Sequence, residues 1–280
     1  MQGKTVVITG ATSGIGAVTA TTLARQGARI VFIARDRARG EQLLQQLRAL
    51  APGPGHLMHT ADLSLMSETR RVGAVIAEAE KRIDVLINNA GAVFSSRQET
   101  SEGLELTFAT NHMAYFVLSA GLLERLKATP RARIVNTASH AYKAARLDFN
   151  DLQSRHGYGG FGMYGRSKLM NILFTRALAR RLAGSGVTVN AHHPGFVATR
   201  FGDAGHGLMN FLLQTSKRFA LTPEQGAQTM LYLASSPAVA ELTGTYFYKC
   251  KPAQLMRRAS SDSDAERLWK YSAELSGVGG

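Results

Sequence analysis

The sequence predicts a single α/β domain, a doubly wound Rossmann unit with a mostly parallel sheet and a C-terminal excursion placed to act as a substrate lid. Three observations carry that expectation. Short β-branched runs alternate with longer amphipathic segments from residue 4 to about 192, without a linker-like break. The runs are continuously apolar, as strands are when helices cover both faces of a sheet. A glycine-rich turn, finally, joins the first run directly to the first amphipathic segment.

Taken in order, the runs at 5–9, 29–33, 83–87, 134–136 and 187–189 read as strands, rich in Val and Ile, which pack well on a pleated surface. Apolar residues recur at helical spacing over about 14–26, 36–50, 64–80, 103–127, 164–183, 223–235 and 262–275. Asp36 stands where the second helix needs an N-cap, and Pro223 fits the start of the sixth. Ser261 or Asp262 is placed to cap the last helix, whose Leu268, Trp269 and Leu275 share an apolar face. Residues 196–221 break the rhythm. Their Phe201, Leu208, Met209, Phe211, Leu212 and Leu213 can line an apolar cleft, or pack as core or against another subunit. A short strand is expected near 245–248, and all of 1–280 reads as one domain closed by the helix at 262–275.

Composition narrows the function classes. The chain has 33 Lys+Arg against 20 Asp+Glu, a formal charge of +13. The basic residues are dispersed, as at Arg70, Arg71, Arg180 and Arg181, and no helix clusters them. They read as a solvated surface, and nucleic acid is not an expected partner. The one cysteine, Cys250, rules out an intrachain disulfide and a cysteine metal cluster. The opening MQGKTVVITG enters a strand without a secretory pattern, and no apolar run approaches the ~18 to 20 residues of a membrane-spanning helix. A cytoplasmic protein with no transmembrane segment is expected.

The turn after the first strand reads Thr9-Gly10-Ala11-Thr12-Ser13-Gly14-Ile15-Gly16. Gly10 allows the tight turn, Gly14 lets backbone approach a pyrophosphate, and Gly16 lets the helix pack closely. The free N–H groups at the positive end of the helix would then face the phosphates. Further along, Tyr164 and Lys168 lie one helical turn apart on one face. Carbonyl reduction needs a proton at the oxygen as hydride reaches the carbon, and alcohol oxidation needs the reverse. A free phenol titrates near ~10, so an ammonium that lowers that value would make tyrosine useful at neutral pH. Ser139 follows the run 134–136 at the carboxyl edge of the sheet, where parallel strands present residues to a ligand. His192 and His193 are adjacent strand residues facing opposite ways, so no metal is expected there. No G-x-S-x-G elbow surrounds Ser139, which argues against a hydrolase triad with His140 and Asp148.

The glycine spacing, the run Asn88-Asn89-Ala90-Gly91, the set Ser139, Tyr164 and Lys168, and Pro194-Gly195 with Val197 and Thr199 together resemble the short-chain dehydrogenase/reductase family, over nearly the whole chain. The resemblance implies a nicotinamide dinucleotide held by Gly10, Ser13, Gly14, Ile15 and Gly16, by Asp62 and Leu63 at the adenine, and by Asn89, Ala90 and Gly91. It implies that Pro194, Gly195, Val197 and Thr199 flank the nicotinamide and that Tyr164 and Lys168 also touch the cofactor. Ser139 would bond the substrate oxygen, Tyr164 would handle the proton, Lys168 would hold the ribose, and Asn111 would support a water relay to Lys168. The alternative for Asp62 is a helix N-cap. Ser139, Asn111 and Lys168 likewise have plain readings, as a strand-end cap, a helix-interior polar group and a surface charge. The long stretch between Ser139 and Tyr164, with Thr222 to Thr229, Gly244 to Phe247 and Arg267-Leu268-Trp269, is similar to the retinol dehydrogenase-like branch. That implies an apolar aldehyde, ketone or alcohol as substrate. Relatives in the family often pair through the helices near 103–127 and 164–183, so a homo-oligomer is one option and the oligomeric state stays open.

Cofactor choice turns on the end of the second strand. Asp36 lies about where an acid selects NAD, but it also starts the next helix. The slot that the family fills with its acid is Ala34, followed by Arg35, with Arg37 and Arg39 close by. A planar guanidinium pairs with a 2′-phosphate through two charge-assisted hydrogen bonds, so NADP is expected, with NADPH preferred over NADH. The competing class is a dinucleotide-binding redox sensor without chemistry, which has no need of a proton donor.

Overall fold

The computed structural model describes residues 1–197 and 221–278. Its strands are β1 (Thr5–Thr9), β2 (Arg29–Ala34), β3 (Leu57–Thr60), β4 (Val85–Asn88), β5 (Arg133–Thr137), β6 (Thr188–His193), β7 (Tyr246–Tyr248) and β8 (Lys251–Pro252). They form one sheet in the order β3-β2-β1-β4-β5-β6-β7-β8. All neighbours pair parallel except β7 and β8. The order reverses between β1 and β4, so the carboxyl ends of these two strands flank the crevice where such sheets take ligands.

The helices are α1 (Gly14–Arg25), α2 (Arg37–Leu50), α3 (Met66–Ala79), α4 (Leu106–Phe108), α5 (Ala114–Gly121), α6 (Leu123–Lys127), α7 (Gly160–Arg181), α8 (Pro223–Ser235) and α9 (Asp262–Ser276). Val6, Ile8 and Phe32 pack with residues of α1, α2 and α8 on one face of the sheet. Val7, Val31, Leu86 and Ile134 pack with α3, α5, α7 and α9 on the other. Successive residues of one strand thus enter different cores, which is why the strands read as unbroken apolar runs.

The departures from expectation have local causes. Leu57-Met58-His59-Thr60 is a half-buried edge strand and carries no apolar run to read. The segment 103–127 is broken up. Glu105 caps α4 by accepting from the Thr107 and Phe108 amides, a π-helical turn spans Ala109–Met113, and α5 and α6 follow. Helix α7 begins at Gly160, earlier than the expected 164, because a side chain at 160 would run into the Phe94 carbonyl and the glycine lets that turn form. Of the two candidate caps for α9, Ser261 makes the bond, to the Asp264 amide at 3.2 Å.

Helix α9 lies over α5 and α7. Trp269 sits 5.0 Å from the Phe116 ring and 6.1 Å from that of Phe174, with the Arg181 guanidinium 4.0 Å over its own ring. The last helix thus meets both α5 and α7 through the one Trp269 ring. Among the described residues no helix is long and apolar enough to cross a membrane. Of the expected lid, only Phe196, Val197 and Leu221 lie within the described residues.

Candidate active site

The glycine turn forms because three positions lack a side chain. Gly10 and Gly14 have φ of 66° and 53°, a region that L side chains avoid. A Cβ at Gly10 would stand 2.8 Å from the Ala90 Cα. One at Gly16 would collide with the Gly10 carbonyl and the Asn89 amide, so Gly16 serves close contact within the turn itself. Ser13 is the extended N-cap of α1, and its side chain caps nothing. The first-turn amides of that twelve-residue helix, with no acid beside them, are left for an anion.

The loop after β4 is tied to this turn. Thr9 Oγ1 accepts from the amides of Asn89 (2.9 Å) and Ala90 (3.0 Å), and the Asn89 Nδ2 donates to the carbonyls of Thr9 and Gly10. Gly91 comes next, and a Cβ there would lie 3.2 Å from Asn111 Oδ1 and 3.4 Å from Lys168 Nζ. Ile15 and Val197, both expected at the cofactor, meet over Gly226 of α8, where a Cβ would press on each. Gly226 was missed by sequence reasoning, since a glycine inside a helix signals only lost propensity. Gly195, after Pro194, has φ of 91° and faces Leu221. Thr199 lies outside the described residues.

At the end of β2 Ala34 is buried, and Arg35 is exposed with no ion pair among the described residues. Asp36 is the N-cap of α2, its Oδ1 accepting from the Arg39 amide at 3.1 Å and its Oδ2 3.3 Å from the Arg39 guanidinium. Arg37 is paired with Glu41. The alternative reading of Asp62 as a helix cap is not what forms: its Oδ1 turns back to the amide and hydroxyl of Ser64, at 2.9 and 2.8 Å. The free amides of α3 go to Glu102, which accepts from Met66 and Ser67 at 2.6 and 3.0 Å across 36 and 35 residues of chain, too far for a sequence rule to connect. Leu63 is half-buried against the core.

Ser139, Tyr164 and Lys168 come together beyond the carboxyl end of β5. Ser139 Oγ accepts from the Ala141 amide at 3.2 Å, so it does cap the turn, and it also hydrogen-bonds Tyr164. Lys168 is 1 % exposed, not a surface charge; its Nζ donates to the Thr137 carbonyl at 3.1 Å and stands 5.4 Å over the Tyr164 ring. Burial pushes the Tyr164 phenol up to about 12, against the lowering effect of Ser139, and pulls the Lys168 ammonium down to about 7. This is the reverse of the expected lowering of the phenol: the ammonium faces the ring and a carbonyl, and desolvation outweighs the Ser139 hydrogen bond. Asn111 lies in the π-helical turn. Its Oδ1 accepts from the Ala92 amide (2.8 Å), and its Nδ2 donates to the Ala92 carbonyl (2.9 Å) and Ser167 Oγ (3.0 Å), so its amide is a strut between the β4 loop and α7.

His192 is buried and 3.2 Å from Thr137 Oγ1, whereas His193 stacks with His140 and Tyr248. No group of three metal-ligating side chains exists among the described residues. A cavity of about 270 Å³ opens beside this end of β6, lined by His193, Leu221, Gln225, Thr229, Tyr248 and Cys250 among others.

The donor set fits a dinucleotide: free helix amides and side-chain-free turns for phosphates, an exposed arginine beyond β2, and Lys168 within reach of Gly91. Residues 4–205 match the model of the family described as short chain dehydrogenase. Human retinol dehydrogenase 14 is 43% identical over 99% of this chain and 88% of its own length. An uncharacterized protein of Mycobacterium paratuberculosis superposes with a TM-score of 0.79 at 33% identity, covering 99% of this chain and 94% of that one. A short chain dehydrogenase from Burkholderia cenocepacia, solved in complex with NADP, gives 0.70 at 26% identity over 88% and 96%.

Proposed function

Because the chain belongs to the short-chain dehydrogenase family, we propose that it is an NADP-dependent oxidoreductase of the cytoplasm that interconverts an apolar aldehyde or ketone and its alcohol. The observation that carries this is the convergence of Ser139, Tyr164 and Lys168 at the sheet's carboxyl edge, on the same side as the amide-rich turn at Gly10 to Gly16. When bound, a nicotinamide supplies or accepts the hydride. Tyr164, protonated over the whole neutral range, gives its proton to the carbonyl oxygen, and Ser139 orients that oxygen by a hydrogen bond. Lys168 would hold the ribose and, when charged, would favour the phenolate that alcohol oxidation requires. Asn111 keeps the Ala92 backbone and Ser167 in place around that lysine.

Arg35 supports the NADP reading, since it stands exposed where a 2′-phosphate would be met and Asp36 is committed to its cap. The retinol dehydrogenases among the relatives support an apolar substrate. The test is a panel of aldehydes, ketones and secondary alcohols assayed by the absorbance of the reduced cofactor. A kcat/KM rising with chain length until the cleft is filled, by at most ~0.8 kcal/mol per buried methylene, is expected. Absence of turnover with every member, beside normal dinucleotide binding, would favour the redox sensor.

A further inference from the structure

We infer that α9 is a positioning element of the catalytic site, in which Tyr271 and Ser272 fix the two ends of the segment that carries Asn111. The inference rests on the reading of Asn111 and Lys168 given above, and it assigns a role to a helix that lies beyond the 4–205 matched by the family model.

Asn111 sits in the π-helical turn Ala109–Met113. A π-turn is rare and occurs mostly as a single-turn bulge, frequently at functional sites, so what holds it from outside bears on its shape. Two holds come from adjacent residues of α9. Ser272 Oγ lies 2.9 Å from Nε2 of His112, the residue after Asn111, and both are fully buried. The His112 ring is further packed by Phe108 and Phe174, with centroids at 5.5 and 6.2 Å. Burial pulls His112 down to about 4, so at neutral pH the contact is a hydrogen bond between neutral groups.

Tyr271 acts on the other end. Its hydroxyl accepts from Gln153 Nε2 at 3.0 Å, and Gln153 Oε1 accepts from the Glu105 amide at 2.9 Å. The buried Glu105 carboxylate accepts from the Thr107 and Phe108 amides, which open the helical segment, and from the Tyr158 hydroxyl at 3.2 Å. The Tyr271 ring also meets Phe108 edge-on at 6.1 Å. The insertion between Ser139 and Tyr164 therefore supplies Gln153 and Tyr158 as the link between α9 and the start of the Asn111 segment. From Asn111 the chain of contacts is short: Ala92 on one side, Ser167 on the other, and Lys168 beside Gly91.

The test compares Ser272→Ala and Tyr271→Phe, both small deletions on a helix that keeps its packing, in the full-length protein. Hydrogen exchange at the Ala92 amide, whose acceptor is Asn111 Oδ1, reads the position of Asn111 without reference to turnover. Exchange there should quicken about tenfold in each variant, and kcat should fall about ten- to a hundredfold with KM nearly unchanged, the scale expected for small misplacements. In an Asn111→Ala background Ser272→Ala should cost little more. Unchanged exchange at Ala92, or a loss of kcat that adds in full to that of Asn111→Ala, overturns the inference. Faster exchange with wild-type kcat upholds the positioning and removes Asn111 from the reaction.

Discussion

Replacing Arg35 by alanine isolates one guanidinium from the rest of the dinucleotide cradle. The side chain is exposed and without an ion pair among the described residues, so its removal leaves no buried partner unsatisfied. Its neighbours Arg37 and Arg39 pair with Glu41 at 2.8 Å and with Asp36 at 3.3 Å, exposed contacts that are weak and offset only part of the loss. Charge-assisted hydrogen bonds are worth ~1.5 to 3 kcal/mol, and solvent screening at this site points to the low end. At ~1.4 kcal/mol per decade that is about a tenfold rise in the Kd for NADPH. NADH, lacking the 2′-phosphate, should bind within about twofold of wild type. Fluorescence titration of both cofactors at two salt concentrations measures this, and the selectivity should shrink at the higher one. Equal weakening of both cofactors, or tighter NADH binding by the unmodified protein, would refute the reasoning and return the ribose to Asp36. Exchanging Ala34 for Asp in addition should reverse the preference at a cost in stability, since Ala34 is 3 % exposed and faces Gly40 across a gap that a Cβ on the glycine would close to 3.0 Å.

Tyr164→Phe should retain cofactor affinity but lose ~10² to 10⁴ of turnover, the usual worth of acid-base catalysis; turnover near wild type would remove the phenol from the mechanism. Lys168→Met should stabilise the protein by about 2 to 4 kcal/mol below pH 7, because burial lowers the ammonium from its ordinary 10.5 to about 7 and in that range the folded state carries the full desolvation cost of the charge; only between the two values does it bind fewer protons than the unfolded chain. That gain should shrink as pH rises from 7 toward 10.5, and urea unfolding that shows a pH-independent difference would contradict the shift. The β7–β8 turn places Lys249 and Cys250 at φ of 49° and 59°, a two-residue mirror-image turn that suits Asn-Gly. Lys249→Asn with Cys250→Gly should therefore add roughly 0.5 to 1 kcal/mol, read as a rise in Tm, and a fall would show that the Cys250 side chain matters more than its backbone.

The alternation of strands and helices, the glycine turn and the placing of Tyr164 beside Lys168 were legible because each rests on local pattern: apolar runs, a residue without Cβ, one helical turn of spacing. The Asp36 cap was legible for the same reason. What escaped were contacts made across the sequence. Glu102 capping α3, Glu105 held by Gln153, and Gly226 under Ile15 and Val197 join segments that no periodicity relates. The electrostatic direction at Tyr164 escaped as well, since spacing places a lysine beside a tyrosine but does not say how much water either loses.

Gly226 lets two separate stretches of chain meet one helix. Ile15 of α1 and Val197 of the chain leaving β6 both lean on the same bare backbone of α8, where a Cβ would stand 2.9 and 2.5 Å from their methyl carbons. A methyl group added there would unseat both at once, so the start of α1 and the chain leaving β6 keep their spacing through the absence of a single atom.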